Sequence, residues 1–318
     1  MKKAVVALGG NAIIPKGSSG DIHEQFANTR KSLAPIVKLI KEGYMLAITH
    51  GNGPQAGQEV IKNELGESAG IPPLPLGVIV AATEGWMGYM IEQSLQNRLI
   101  REGINRQVVT IPTQVIVSKN DPAWKNPTKP IGPFLEYEEA MRLKERGIAV
   151  MEDAGRGWRR VVPSPIPLKI VEKDVIKKLV EEGVIVIAAG GGGIPVYVEE
   201  DGTYEGLDGV IDKDLASAVL ARDIGASILM ILTGVDKVYL NFNTPLQTPI
   251  DTMTPEEARK YMEEGHFAPG SMRPKIEAAI KFIEWGGEEV IITSLEKAYE
   301  AITGEEGTRI RGDKSKKG

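Results

Sequence analysis

The chain has 318 residues, enough for one large α/β domain or two modest lobes with a full core. It holds no cysteine, which excludes disulfides, thiol nucleophiles and cysteine-ligated zinc, and its three histidines, His23, His50 and His266, are too scattered for a dedicated metal site. A net charge of −5 argues against nucleic-acid binding, and the lack of any apolar stretch of about 18 residues or a signal-type N-terminus argues against membrane spanning and export, so a cytoplasmic protein is expected.

Short β-rich apolar runs alternate with longer segments of helical period, the pattern of an α/β, doubly wound, mainly parallel sheet. Ala4 to Leu8 opens it as a strand. A helical segment near Ile22 to Glu42 leads to a strand at Tyr44 to Thr49, and a helix near Ile79 to Arg101 leads to a strand near Gln107 to Ile111. Between Thr113 and Pro167 the alternation breaks down among many prolines, which predicts an inserted lid, binding loop or small subdomain, or else a surface elaboration or dimer contact. Second-half strands are expected at Val184 to Ala188, Ser227 to Leu232 and Val290 to Thr293. Helices are expected near Lys173 to Glu182, Lys213 to Asp223, Pro255 to Glu264 and Pro274 to Trp285. The Lys- and Ser-rich tail from Asp313 to Gly318 is expected to be disordered.

Four apolar strands run directly into glycines: Leu8-Gly9-Gly10-Asn11, His50-Gly51-Asn52-Gly53, Ala189-Gly190-Gly191-Gly192-Gly193 and Thr233-Gly234-Val235-Asp236. One such turn is ordinary strand-to-helix geometry. Four of them along the carboxyl edge of a parallel sheet let backbone N–H groups and helix N-termini approach a phosphate chain. No Gly-Lys dipeptide occurs, which excludes a P-loop, and no clean GxGxxG follows a first strand, which argues against a nicotinamide dehydrogenase. Phosphoryl transfer needs concentrated positive charge. Lys213 follows an acidic turn and opens a helix, Lys275 opens another, and Lys129 is held between Pro127 and Pro130.

The segments ALGGNA (Ala7 to Ala12), THGNGPQ (Thr49 to Gln55), NPTKPIGPF (Asn126 to Phe134), EDAGRGWRRVVPSP (Glu152 to Pro165), AAGGGGIPV (Ala188 to Val196), GVIDKDLAS (Gly209 to Ser217), LTGVDKVY (Leu232 to Tyr239) and GSMRPKIEAA (Gly270 to Ala279) resemble the carbamate kinases of the amino acid kinase superfamily. They stand in that family's order and span nearly the whole chain. The resemblance implies a three-layer αβα open sandwich on a mainly parallel twisted sheet, with a protruding subdomain inserted in the N-terminal half. It further implies one domain over residues 1–312, with an acceptor and dimerisation lobe at 1–185, a lid at 113–167 and a nucleotide lobe at 186–312, in a homodimer.

By the same resemblance, Lys129, Lys213, Lys275 and Asp214 are the expected catalytic residues, with Lys129 reaching the acceptor and Asp214 orienting lysines. Gly9, Gly10, Asn11, Gly51, Asn52 and Gly53 are expected around the acceptor and the transferred phosphoryl. Gly191, Gly192, Asp212, Thr233, Gly234, Asp236, Tyr239, Ala268, Gly270 and Met272 are expected around the nucleotide. The implied substrates are ATP or ADP with Mg²⁺ held mainly by the phosphates, and carbamate or carbamoyl phosphate; no protein metal site is expected.

One position separates this chain from acetylglutamate kinase and its relatives, which carry a lysine on the first strand. Ala7 stands there instead, as in carbamate kinases. The missing charge falls to Lys213, which Asp212 and Asp214 either hold charged and aimed or flank as collectors of nucleotide-borne Mg²⁺. The expected function is reversible phosphoryl transfer between ATP and carbamate. Its alternatives are another acid kinase of the superfamily and a non-catalytic ATP-binding sensor.

Overall fold

A computed structural model describes residues 2–10, 13–14, 20–153 and 157–312. Asn11 and the 313–318 tail lie outside them. Strand β1 (Lys3–Leu8) is followed by helices α1 (Ile22–Ser32) and α2 (Ala34–Lys41). The single helical segment expected here is two helices joined at Leu33, because Pro35, which has no N–H to bond back toward Lys31, interrupts the hydrogen-bond ladder. Strand β2 (Met45–His50) then leads into α3 (Gly53–Ser68), a helix absent from the sequence reading. Its buried residues are only Gln55, Ala56 and Gly57, so it carries no apolar stripe of helical period.

Helix α4 (Leu76–Arg101) is long and central, and it precedes β3 (Val108–Thr110) and β4 (Gln114–Ile116). Within the proline-rich stretch, β5 (Lys129–Leu135), α5 (Tyr137–Glu145), β6 (Val150–Glu152) and β7 (Trp158–Val162) form a separate three-stranded sheet in the order β5-β7-β6. It docks on α3 through a glycine contact: a Cβ added to Gly57 would lie 2.0 Å from the Gly132 Cα. The main chain continues through β8 (Lys169–Ile170), α6 (Lys173–Glu181), β9 (Ile185–Ile187), β10 (Ile194–Val198), β11 (Tyr204–Gly206) and α7 (Lys213–Ile224). The remaining elements are β12 (Ile228–Thr233), the β13 (Val238–Leu240) and β14 (Thr248–Ile250) hairpin, β15 (Thr252–Met253), α8 (Pro255–Glu263), α9 (Met272–Glu284), β16 (Glu289–Ser294), α10 (Ala298–Thr303) and β17 (Thr308–Ile310).

The main sheet has the order β15-β17-β16-β12-β1-β2-β9-β3 and is parallel except where β16 meets β17. Successive residues of its central strands are apolar because both faces are covered. Val5 and Ala7 of β1, with Leu229 and Ile231 of β12, face a core closed by α6, α7, α8 and α9. Ala4, Val6 and Leu8, with Met230 and Leu232, face a second core closed by α2, α4 and α10. Three layers follow directly. Strand β9, grouped above with the second half of the chain, instead pairs with β2 and β3, and a boundary at 185/186 falls inside it. Strand β1 lies between β2 and β12, where the chain order reverses, and this is the point at which an open α/β sheet forms a crevice at its carboxyl edge.

Candidate active site

The turn after β1 sits in that crevice. A Cβ at Gly9 would come within 2.9 Å of the Leu232 carbonyl oxygen, and one at Gly51 would lie 3.5 Å from Gly10 N and 3.9 Å from Lys213 Cδ. Glycine is therefore needed at Gly9 for the β1 turn to lie against β12. Three helices, α3, α7 and α9, begin at the same crevice, since Gly53, Lys213, Ser271 and Pro274 all line one pocket. The first turns of α3 and α9 have no side-chain cap, and although Pro54 and Pro274 carry no N–H and the Arg273 amide donates to the Ala268 carbonyl at 3.2 Å, the positive ends of both helix dipoles face the pocket. The α7 start is capped by Asp212, which accepts from the amides of Asp214 (2.9 Å) and Leu215 (3.2 Å).

The pocket, about 210 Å³, gathers Lys129, Arg159, Lys213 and Lys275 against Asp153, Asp212 and Asp214. Four cations against three carboxylates suit an anionic guest. Lys129 Nζ donates to Asp212 Oδ2 at 2.6 Å, reaching across from the three-stranded sheet. Asp214 is shared: Lys275 Nζ donates to Oδ2 at 3.0 Å, and Lys213 Nζ lies 2.7 Å from Oδ1 without good hydrogen-bond geometry. The Lys213 ammonium is thus held mainly by charge, and among the described residues its N–H donors find no partner of good geometry.

Burial pushes the Lys213 ammonium below its ordinary range, only partly offset by Asp214. For Lys275 burial acts the same way, but Asp214 and Asp212 outweigh it and the pKa rises. Burial would raise both carboxyls; Lys129 overcomes this for Asp212, and Lys213 with Lys275 hold Asp214 far below the carboxylate range. Of Lys213 and Lys275, Lys213 is thus the one whose pKa is lowered, and Asp214 is the chief group holding its charge.

A wider cleft of about 840 Å³ opens beside the pocket and shares Arg159, Gly270, Ser271 and Lys275 with it. Thr233, Gly234, Tyr239, Ala268, Gly270 and Met272 line this cleft, together where the sequence reading grouped them. Tyr239 and Phe242 add a tilted aromatic pair with centroids 5.9 Å apart, a surface suited to a planar base. Four others sit elsewhere. Gly191 lies in the smaller pocket, because the Asn52 side chain covers its Cα and a Cβ would come within 2.1 Å of Asn52 Nδ2. Gly192 is packed under Ile211, Asp212 is engaged by Lys129, and Asp236 is exposed, its carbonyl accepting from Thr293 Oγ1.

The structure also brings in residues that no motif singled out. Arg159 on β7 lines both cavities and donates to the Gly132 carbonyl through Nε (3.2 Å) and Nη2 (2.8 Å). Its signal was present only as one arginine of a pair in a motif. Glu84 and Thr83, inside the apolar α4, lie directly behind Asn52 and Gly190. Nothing in the local sequence marks them.

No group of three or more His, Asp or Glu side chains among the described residues converges as a metal cage. Asp212 and Asp214 are already committed to lysines and to the α7 cap. A resident protein-held metal does not fit this donor set, whereas a nucleotide's phosphates, with the ion they carry, fit the lysines and uncapped helix starts.

A model of the amino acid kinase family matches residues 2–294. The carbamate kinase of Pyrococcus furiosus is 53% identical over 97% of this chain and 99% of its own length, and that of Clostridium perfringens is 49% identical over 97% and 99%. Among solved structures, carbamate kinase from Giardia lamblia bound to citric acid and to AMP-PNP superimposes with TM-scores of 0.93 and 0.89 at 42% identity, covering 98% of this chain and 99% of that one. The chain therefore belongs to the amino acid kinase family and, within it, to the carbamate kinases.

Proposed function

We propose that this site moves the γ-phosphoryl group of ATP in line to an oxygen of carbamate, giving ADP and carbamoyl phosphate, and runs in reverse to form ATP. The observation that carries the reading is the convergence of Lys129, Lys213 and Lys275 on one small pocket, each held by an aspartate at the start of α7. In the forward step a carbamate oxygen forms a bond to the γ-phosphorus as the bond to the β-bridging oxygen breaks, its electron pair remaining on ADP. Negative charge builds on the equatorial and bridging oxygens, where fixed ammonium groups in a water-poor pocket lower the barrier most. Carbamate is already an anion, so no base must deprotonate it. That agrees with His50, the one histidine beside the pocket, being buried and held neutral.

We assign Lys213 and Lys275 to the transferring phosphoryl and Lys129 to the acceptor. Asp214 sets the charge and direction of the first two. The wide cleft with Tyr239 and Met272 takes the nucleoside, and Mg²⁺ enters as part of the nucleotide substrate. A pocket of about 210 Å³ favours a small planar acid over a longer one such as acetylglutamate. A homodimer is supported by an apolar surface along and beyond α3, where Leu65 is 67% exposed and Ile71 62%, and where Ile61 and Leu74 also face outward. None of the helices among the described residues is long and apolar enough to cross a membrane.

ATP formation from ADP, Mg²⁺ and carbamoyl phosphate tests the reading, run beside acetyl phosphate and acetylglutamyl phosphate with a Lys275→Ala control. Carbamoyl phosphate is expected to turn over far faster than the other two, and the control to lose that turnover. Equal use of another acyl phosphate would overturn the acceptor assignment, and no turnover of any would leave a nucleotide-binding sensor.

A further inference from the structure

The turn at residues 189–193 is the least ordinary piece of backbone near the pocket. Ala189, Gly191, Gly192 and Gly193 all have positive φ, at 49°, 64°, 97° and 85°. Ala189 is not a glycine, and a run of this kind persists only when its surroundings over-determine it. Packing on Ile211 and Val115 holds Gly192 and Gly193, and the hydrogen bonds that anchor both ends of the turn come from one place. Glu84, 2% exposed on α4, accepts from the Thr113 amide at 3.0 Å through Oε2. Thr113 in turn receives both ends of the turn: its Oγ1 accepts from the Ala189 amide at 2.9 Å, and its carbonyl accepts from the Ile194 amide at 2.8 Å. The neighbouring Thr83 Oγ1 accepts from Asn52 Nδ2 at 2.9 Å, and the Asn52 side chain lies across Gly191.

Asn52, Gly53 and Gly191 line the small pocket together with Lys275 and Ser271. Glu84 itself lines neither cavity. A carboxyl group buried here is costly unless it has a task, and burial pushes its pKa well above the ordinary value, against the Thr113 and Gly190 amides that lower it. It acts on the pocket only through Thr113 and the turn.

We infer that Glu84 and Thr83 are positioning residues: from α4 they fix the left-handed 189–193 turn and the Asn52 carboxamide that wall the acceptor end of the pocket. The inference rests on the reading of that pocket as the carbamate and phosphoryl site. Its signature is a split between substrates, because the nucleotide cleft is built from β12, the β13–β14 hairpin and α9 and touches neither residue.

The test compares the full-length wild type with Glu84→Ala, Glu84→Gln and Thr83→Val in ATP formation from carbamoyl phosphate and ADP, with the Tm of each. Glu84→Ala is expected to lower kcat/KM for carbamoyl phosphate by about 10²-fold, the scale of a displacement near 1 Å at a reacting centre, while KM for ADP stays within about twofold. Glu84→Gln keeps an oxygen for the Thr113 amide and is expected to restore activity to within about fivefold. Thr83→Val removes the Asn52 partner without changing shape, and should raise KM for carbamoyl phosphate about tenfold, a loss of the size of one hydrogen bond to a buried group. Should Glu84→Ala not fold, Thr83→Val carries the test. Equal effects on both substrates, or losses that follow Tm with no rescue by Glu84→Gln, would overturn the inference. Wild-type turnover of carbamoyl phosphate is the control: its absence would sink the reading of the pocket and the inference with it.

Discussion

Asp214→Asn removes one negative charge from between two buried ammonium groups and changes almost nothing in shape. Lys213 Nζ and Lys275 Nζ stand 2.7 Å and 3.0 Å from the two carboxylate oxygens, with side-chain exposures of 10%, 16% and 5% for Lys213, Lys275 and Asp214. Breaking a buried ion pair by neutralising one partner costs about 3–5 kcal/mol, because the other charge is left uncompensated. The cheapest relief is loss of a proton. Lys213 is the group that will yield, since burial already depresses its pKa and Asp214 is the chief influence raising it. The catalytically useful ammonium then becomes scarce at neutral pH, and Lys275 loses a hydrogen bond that aims it.

A fall in kcat of about 10²–10³-fold is therefore expected for ATP formation at pH 7.5, the scale of one lost charge-stabilising group or slightly more. The pH dependence carries the sharper signature. On the proposed mechanism Lys213 works as the cation, so activity should be retained below its folded-state pKa and lost above it. Lowering that pKa in Asp214→Asn moves the loss to lower pH, and residual activity should rise as the buffer is taken from pH 8.5 to 6.5 more steeply than in wild type. In wild type the Asp214 charge persists until strong acid, because its folded pKa lies below the ordinary 3.8. A variant retaining activity within about fivefold, or a pH profile parallel to wild type, would refute the assignment of Asp214 as the group that keeps Lys213 charged.

Three further outcomes are expected. Lys213→Ala and Lys275→Ala should each lower kcat about 10²-fold or more, whereas Lys129→Ala should mainly raise KM for carbamoyl phosphate and leave ADP binding by calorimetry nearly intact. His50, buried and carrying a pKa lowered from 6.5 to about 4, prefers to be neutral in the fold. Since the unfolded chain binds that proton first, stability should fall as pH drops from about 6.5 toward 4, by about 2 kcal/mol between pH 7 and pH 5 in urea titrations, and His50→Gln should lack that component. Gly57→Ala places a methyl group 2.0 Å from Gly132 Cα, which the α3 to β5 contact cannot absorb without moving. An overpacking cost of about 1–3 kcal/mol and a reduced kcat are expected, since Lys129 on β5 shifts with it; unchanged Tm and kcat would show that the subdomain is not seated by this contact.

The sequence by itself determined the chemistry and the class of fold. Apolar runs buried on both faces, such as Ala4 to Leu8 and Ile228 to Leu232, require helices above and below a parallel sheet, whatever the remaining residues do. Glycines after those strands and lysines at helix starts are likewise local patterns, legible because each depends on its immediate neighbours. What only the tertiary structure decided are relations between distant segments. Lys129 meets Asp212 across 83 positions, a pairing that depends on how a three-stranded subdomain docks through Gly57 and Gly132, and Lys275 meets Asp214 across 61, where α9 packs on α7. Helix α3 escaped the pattern because it buries glutamine, alanine and glycine against other backbones rather than presenting an apolar stripe. Gly191 and Asp212 were expected around the nucleotide; packing against Asn52 and pairing with Lys129 place them on the wall of the smaller pocket. Glu84 and Thr83 were invisible for the same reason: a buried polar side chain declares its role only through the backbone it holds, and that backbone lies about a hundred residues away in the turn after β9.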